Sequence, residues 1–373
     1  MIGENQRVVV AMMDGLDMAY IENTAMPNFQ RMAREGFFKE VSGVFPSVTN
    51  VNNVSVACGA WPADHGITAN SYYDEKTNRP MYMNAAELIR HPTIFARAAK
   101  LGLHSALLTS KRKTLELFQH DVAIGIAAEA PQPEHIRKYG PPPQIYSREI
   151  NYWLWEAAID LLKNRSDISL IYVHITDYPM HAWAPEEKES QAHLTQLDLL
   201  LGEARKIAPD AAFLITADHG MNYKKRCWDL NRVLTEAGIP PKFVLSPERD
   251  YYVQHHRNFT GCAWIWLRRA SDWNQTVKVL QHVAGVEEII SREAAVQRFH
   301  LVPERIGDIT VTGDKDTMFG EMETAYEDLS ATYRAHGSLY EMRLPLVIWN
   351  QEGILPPPEA FRVNLDLTRF LYR

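Results

Sequence analysis

The sequence predicts an α/β fold in which a mostly parallel central sheet carries helices on both faces. Three observations lead there: short unbroken apolar runs rich in Val, Ile and Leu, stretches of helical spacing between them, and carboxylates standing where the runs end. Residues 7–13 read as a buried strand, after which Asp14 and Gly15 turn the chain. In residues 27–36 the helical spacing of Phe29, Met32 and Ala33 stops at Gly36, and residues 37–41 form a further strand. Residues 104–108, 168–173 and 211–216 repeat the strand pattern; residues 86–100, 151–163 and 187–206 repeat the helical one. Asp14, Asp177 and Asp218 fall at or just past strand carboxyl ends, where parallel sheets bind ligands.

From about residue 221 the rhythm is lost, with only short elements at 277–283, 286–290 and 309–311. The whole of 1–373 is read as one catalytic α/β domain, in which roughly 222–330 contains a smaller inserted cap lobe. The buried-strand pattern resumes at 345–349, and 365–372 reads as a closing helix. Proline-rich stretches at 130–133, 141–143 and 356–358 are loop signals.

Composition narrows the function classes. A formal charge of −7 argues against binding to a nucleic-acid polymer, which calls for a basic excess on one face. Three scattered cysteines, Cys58, Cys227 and Cys262, are too few for a disulfide framework or a thiolate zinc cluster, so a reducing compartment fits. With no signal-like apolar segment before residue 8 and no run of membrane-spanning length, the expectation is a cytoplasmic protein without membrane attachment.

The acids at the strand ends have imidazoles beside them. Asp177 and His181 stand four residues apart, close enough to share one ion in a helical turn, although the spacing alone also describes a surface Asp with an unrelated His. Asp218 and His219 are adjacent and followed by Gly220; alternatively, Asp218 caps a helix. With Asp14 and His336 they make three carboxylates and three imidazoles, a mixed oxygen and nitrogen set suited to zinc or similar divalent ions and large enough for two. Thr49 immediately precedes an apolar helical run ending at Gly59, and a helix amino terminus stabilises anions; Thr49 is either a nucleophile there or merely the helix cap.

Met13-Asp14-Gly15, Pro46-Ser-Val-Thr49 with Asn52 after it, Trp61-Pro-Ala-Asp-His65-Gly66-Ile67, Asp177-x-x-x-His181, Ala217-Asp-His-Gly220 and His336-Gly337 occur in the order of the alkaline phosphatase superfamily. They most resemble its nucleotide pyrophosphatase/phosphodiesterase branch. Within that branch Ser110-Lys-Arg-Lys113, Thr176-Asp-Tyr178 with His181, Ala184 and Pro185, and Tyr252-Val-x-His255-His256 are similar to phosphonoacetate hydrolase. The resemblance implies two zinc ions and a threonine nucleophile. Asp177, His181 and His336 would hold one ion and Asp14, Thr49, Asp218 and His219 the other; Asn52 would help neutralise phosphoryl oxygens, and Asn70, Lys111 and Lys113 would bind substrate. Two departures from the family pattern bear on the substrate: Ser338 stands where a second glycine is usual after His336, and Arg112 stands between the lysines where an acid is typical.

Carbon is a poor leaving group, so C–P cleavage needs the carbanion delocalised into an adjacent carboxylate and a cation nearby to stabilise it; Lys111 and Lys113 are the candidates, unless they are a solvated surface pair. The expected activity is cleavage of phosphonoacetate or a related carboxy-phosphonate to phosphate and a carboxylate. The alternatives are a nucleotide phosphodiesterase or pyrophosphatase and, in another class, a catalytically inactive metal-stabilised binding protein. The expected partner is a small-molecule phosphonate or phosphate ester, and the sequence allows a homodimer.

Overall fold

The computed structural model describes residues 6–250 and 257–372; the Tyr252, His255 and His256 signature lies outside them. Seven strands form the central sheet: β1 (Val8–Met12), β2 (Phe37–Ser42), β3 (His104–Thr109), β4 (Ile124–Ala127), β5 (Ile168–His174), β6 (Ala212–Thr216) and β7 (Arg343–Trp349). Their order is β2-β7-β6-β1-β5-β3-β4. The five strands from β6 to β4 run parallel, and β7 lies antiparallel to both β6 and β2. The predicted α/β class is the one observed. Strands β1 and β6 are buried along their whole length because helices cover both faces, which is why they read as continuous apolar runs.

The helices that matter to the site are α1 (Pro27–Glu35), α2 (Thr49–Cys58), α3 (Ile94–Lys100), α4 (Arg112–Phe118), α5 (Glu149–Asn164), α6 (Tyr178–Ala182) and α7 (Lys188–Ile207). Two predicted helices are shorter in the structure. The 86–100 pattern splits into a 3₁₀ turn at Ala86–Leu88 and α3, since Pro92 breaks it and Thr93 caps the new start by accepting from the Ala96 N–H at 3.2 Å. In 365–372 only Asp366–Arg369 is helical. The edge strand β4 went unpredicted, as its short Ile-Gly-Ile-Ala sequence carries little strand signal.

Between β6 and β7 the chain builds a four-stranded antiparallel sheet from Phe243–Leu245, Cys262–Trp266, Ile309–Gly313 and Val286–Ser291, in that order, backed by helices Trp273–Leu280 and Arg292–Phe299. It has apolar clusters of its own around Trp264, Trp266, Ile265 and Val311. It meets the α/β core where Phe299 stacks on Phe45 at 4.1 Å, four residues before Thr49. No helix among the described residues is long and apolar enough to cross a membrane.

Candidate active site

Four neighbouring strands deliver the site. Met12, His174 and Thr216 lie abreast across β1, β5 and β6, and Thr109 of β3 lies abreast of His174. The residues immediately beyond these positions are Asp14, Asp177, Asp218 and Lys111, so the parallel register alone gathers three acids and a lysine at one edge. His336 arrives from the other direction, just after the short strand Arg334–Ala335, which pairs with Asn222–Tyr223.

Each imidazole is oriented by the backbone. His181 Nδ1 donates to the Arg334 carbonyl at 2.8 Å, His336 Nδ1 to the Ser47 carbonyl at 2.8 Å and His219 Nδ1 to the Gly220 carbonyl at 3.0 Å. That tautomer leaves Nε2 as the lone-pair nitrogen, and all three Nε2 atoms face carboxylates: His181 is 2.9 Å and His336 3.9 Å from Asp177 Oδ2, and His219 is 3.4 Å from Asp14 Oδ1. The His219 and His336 rings stack at 3.6 Å, nearly parallel. Among the described residues no hydrogen bond is made to either oxygen of Asp14 or to Oδ2 of Asp218, although both residues are fully buried. Buried oxygens left this way are costly unless a cation meets them, so the donor set fits divalent metal ions. Asp177, His219 and His336 form one such group and Asp14, Asp218 and His219 another. His219 therefore borders both groups, rather than one as the sequence resemblance implies. His181 reaches the first group through Asp177.

Electrostatics agree with this crowding of acids. Burial, then the charges of Asp177 and Asp218, push the Asp14 carboxyl well above the usual carboxylate range. Burial pushes Asp218 the same way, but the neighbouring His219 and His174 rings outweigh it and hold the group below its ordinary value. Burial also opposes the charge on Lys111, yet Asp177, Asp14 and Glu248 outweigh it and keep the ammonium more firmly protonated than usual.

Thr49 is the first residue of α2, not its cap; Val48 occupies the cap position and contributes no side-chain bond. The Thr49 hydroxyl is thus available to the site and lies 3.2 Å from His219 Nε2. Ser47 fixes this loop against the His336 loop: its hydroxyl donates to the Ser338 carbonyl at 2.7 Å and accepts from the Gly337 N–H at 3.1 Å. Asp177 stands at the cap position of α6 without a side-chain capping bond, which places His181 one turn along on the same face. No helix follows Asp218, so it is not a helix cap.

Beside Thr49 and Asp177 lies a cavity of about 50 Å³ lined by Asn70, Lys111, Lys113 and Glu248. The Lys111 ammonium stands 3.7 Å from Asp14 Oδ2 and 3.8 Å from Asp177 Oδ1. Lys113 is buried and bonds to Asp250 and, at 3.1 Å, to Asn70 Oδ1, so it is not part of a solvated surface pair. Arg112 is turned outward, with its backbone N–H on Glu129 and its guanidinium 3.2 Å from Glu116, so the departure at this position does not reach the cavity. Ser338 is also turned away: its hydroxyl bonds Glu341 at 2.6 Å and caps the turn Leu339–Glu341.

Asn52 requires correction. Its amide is engaged by the 44–46 loop and by Asn364: Oδ1 accepts from the Val44 N–H at 2.7 Å and Asn364 Nδ2 at 2.9 Å, and Nδ2 donates to the Val44 carbonyl at 2.9 Å and the Pro46 carbonyl at 3.2 Å. Asn50 and Asn53, not Asn52, border the cavity with Thr49. His174 was missed although it ends a strand as visibly as Asp14 does. It is buried, its Nε2 lies 3.3 Å from Asp14 Oδ2, its Nδ1 meets Thr109 Oγ at 3.2 Å, and burial lowers its pKa to about 4.

A mostly parallel sheet with a threonine at a helix start and an Asp/His cluster at the strand ends is the architecture of the alkaline phosphatase superfamily. The model of the type I phosphodiesterase / nucleotide pyrophosphatase family matches residues 8–339, and the chain belongs to that metal-dependent family. Phosphonoacetate hydrolase from Sinorhizobium meliloti 1021, solved with phosphonoacetate, superposes with a TM-score of 0.88 at 28% identity over 98% of this chain and 95% of that one. Murine ectonucleotide pyrophosphatase / phosphodiesterase 5, solved as an inactive variant with AMP, shares the fold at a TM-score of 0.71 and 16% identity, over 98% of this chain and 94% of that one. Among curated proteins, the bis(5'-adenosyl)-triphosphatase of Bos taurus is 24% identical over 58% of this chain and 47% of its own length. An uncharacterised pyrophosphatase/phosphodiesterase of Schizosaccharomyces pombe is 22% identical over 57% of this chain. The chain spans less than half the length of these two curated relatives, 47% and 44%.

Proposed function

We propose that the protein cleaves the C–P bond of phosphonoacetate or a closely related carboxy-phosphonate, with Thr49 as nucleophile. The observation that carries this reading is the small cavity at Thr49 that two lysines face, Lys113 buried and Lys111 partly so. Its size suits a short carboxylate; pockets for drug-sized ligands run to roughly 300–1,000 Å³. The likeness to phosphonoacetate hydrolase over nearly the full length of both chains supports it further.

Asp14, Thr49, Asp218 and His219 would hold one divalent ion and Asp177, His181 and His336 another, zinc suiting these donors. Such ions supply positive charge to the nucleophile and the phosphoryl oxygens when bound. The chain's own groups do the rest. Thr49 Oγ gives its proton to solvent and attacks phosphorus from the start of α2, whose N–H groups favour the developing negative charge. The C–P bond breaks, and its electron pair passes to carbon and is delocalised into the carboxylate. Lys111 and Lys113 stabilise that charge, while Asn70 holds Lys113 in place. Solvent protonates the carbon, and water then hydrolyses the phosphothreonine. The segment 222–330 acts in this reading as a cap that brings Glu248 and Asp250 to the cavity wall.

The rival is nucleotide phosphodiester hydrolysis, favoured by the family match. Phosphate release from phosphonoacetate, set beside nucleoside release from a nitrophenyl nucleotide ester, separates the two. Negligible turnover of the first with robust turnover of the second sinks the proposal. Thr49→Ala is expected to lower phosphate release by at least about a thousandfold, as loss of a covalent nucleophile does.

A further inference from the structure

One acid at the cavity wall has no part in the scheme above. Glu248 is buried, at 3% exposure, and follows the strand Phe243–Leu245 of the smaller sheet. Its backbone is pinned, with N–H donating to Thr260 Oγ at 2.9 Å, and the neighbouring Pro247 carbonyl accepts from the Asn70 N–H at 2.9 Å. On the side chain, Oε2 accepts from Asn70 Nδ2 at 3.0 Å, whereas no donor or acceptor among the described residues reaches Oε1, although that atom is buried. A carboxyl group so placed has one oxygen committed as an acceptor and the other without a partner among the described residues, and the residue lines a cavity shared with Lys111, Lys113 and Thr49.

Resting on the reading of this pocket as a carboxylate site, we propose that Glu248 is a third substrate-binding group, which donates a hydrogen bond from Oε1 to the substrate carboxylate and to the enediolate it becomes. The placement of the proton follows from the bonding. Since Oε2 is an acceptor toward Asn70, a proton on the group belongs on Oε1. An ionised Glu248 would set a third negative charge beside Asp177 and Asp250 and would repel a carboxylate entering between the lysines, whereas the neutral acid complements it. Burial, reinforced by Asp177 and Asp250 and opposed by Lys111 and Lys113, pushes the Glu248 carboxyl up to about 8. A short bond from a neutral acid to a developing enolate oxygen strengthens as charge accumulates there, so it acts on the transition state more than on the ground state. Glu248 gives up no proton in the step; it serves only as a donor.

The test compares Glu248→Gln and Glu248→Ala, each in the zinc-loaded Thr49→Ala protein, by calorimetric titration with phosphonoacetate and with methylphosphonate, which lacks the carboxylate. The Gln amide can donate where the acid did, so Glu248→Gln is expected to bind phosphonoacetate within about threefold of the parent, and Glu248→Ala about tenfold or more weakly. Methylphosphonate binding should be unchanged in both. As pH rises the parent is expected to lose affinity for phosphonoacetate relative to Glu248→Gln, because only the parent's donor deprotonates; the ligand's own ionisation is common to both. Equal affinities for phosphonoacetate in the parent and Glu248→Ala, or equal losses in the Gln and Ala variants, overturn the assignment, as do superimposable pH profiles. Such a result alongside phosphonoacetate hydrolysis by the wild type leaves the proposed function standing. Conversely, carboxylate-selective binding that depends on Glu248, in an enzyme that releases no phosphate from phosphonoacetate, overturns the function and keeps the binding role.

Discussion

Replacing Glu341 by Gln tests how the His336 loop is held. Its carboxylate is buried and receives four bonds: Lys224 Nζ at 2.9 Å and Asn222 Nδ2 at 2.7 Å on Oε1, and the Ser338 N–H at 3.0 Å and Oγ at 2.6 Å on Oε2. Every partner acts as a donor toward it, so either orientation of a Gln amide turns an NH₂ group toward two of them, and both leave the buried Lys224 ammonium without a charged partner, with the Lys315 carbonyl at 2.9 Å as its other neutral acceptor. Removing one member of a buried pair costs roughly 3–5 kcal/mol. Glu341→Gln should therefore lower the unfolding free energy by about that amount in urea titrations at pH 7. It should also weaken zinc binding by about tenfold, because Ser338 adjoins the His336 loop. Adding Lys224→Met removes the stranded charge and should recover more than about 1 kcal/mol. A loss below about 1 kcal/mol in the single variant, or no recovery in the double, refutes the reasoning. The pH dependence has a definite sign. Burial would raise the Glu341 pKa, but Lys224 and Ser338 outweigh it and hold it below 4.5, so its contribution is complete above pH of about 4.5 and is lost as pH falls through the lower folded value. Only the wild type should show that acid-side decline when its stability curve is compared with that of the variant.

Further outcomes follow from the same geometry. Chelation should abolish phosphate release and lower the melting temperature, and zinc should restore both, since ligand present at about a hundredfold its Kd contributes roughly 2.7 kcal/mol; identical melts with and without chelator would contradict the metal assignment. Asn52→Ala should cost about 2–3 kcal/mol of stability by unpinning Val44 and Pro46, yet reduce kcat far less than Thr49→Ala does; comparable losses of kcat would return Asn52 to the chemistry. Gly337→Ala puts a Cβ 2.2 Å from Thr260 Cγ2 at a φ of +99°, so it should displace His336 and weaken zinc affinity measurably in competition titrations. Lys111→Ala should lower kcat/KM for phosphonoacetate by roughly tenfold or more while sparing a nitrophenyl ester that lacks a carboxylate.

The parts of this molecule legible in its sequence are those where local pattern and global position coincide. Residues 8–12 and 212–216 announce themselves as buried strands because both faces are covered, and the acids after them mark the ligand edge without further information. His174 obeys the same rule and could have been found by it, but it lacks a neighbouring motif to draw attention. Asn52 was misassigned because a motif records which residues recur, not where their side chains turn; its amide folds back onto residues 44–48, and one turn of α2 places Asn53 beside Thr49 instead. Glu248 and the Asn70 contact were illegible for a different reason. They join segments 178 residues apart through a loop of the smaller sheet, where no periodicity signals the approach.

Strand β7 sits between β2 and β6 in the middle of one wing of the sheet, although it is the last strand of the chain. During synthesis β2 therefore waits, unpaired on that side, for a partner more than 300 residues downstream, and the His336 loop that precedes β7 is delivered at the same late moment. Nascent chains that stop short of residue 336 lack a member of the Asp177 and His336 group, and those that stop short of residue 343 cannot close the wing, so the metal site is completed only after both segments have been made.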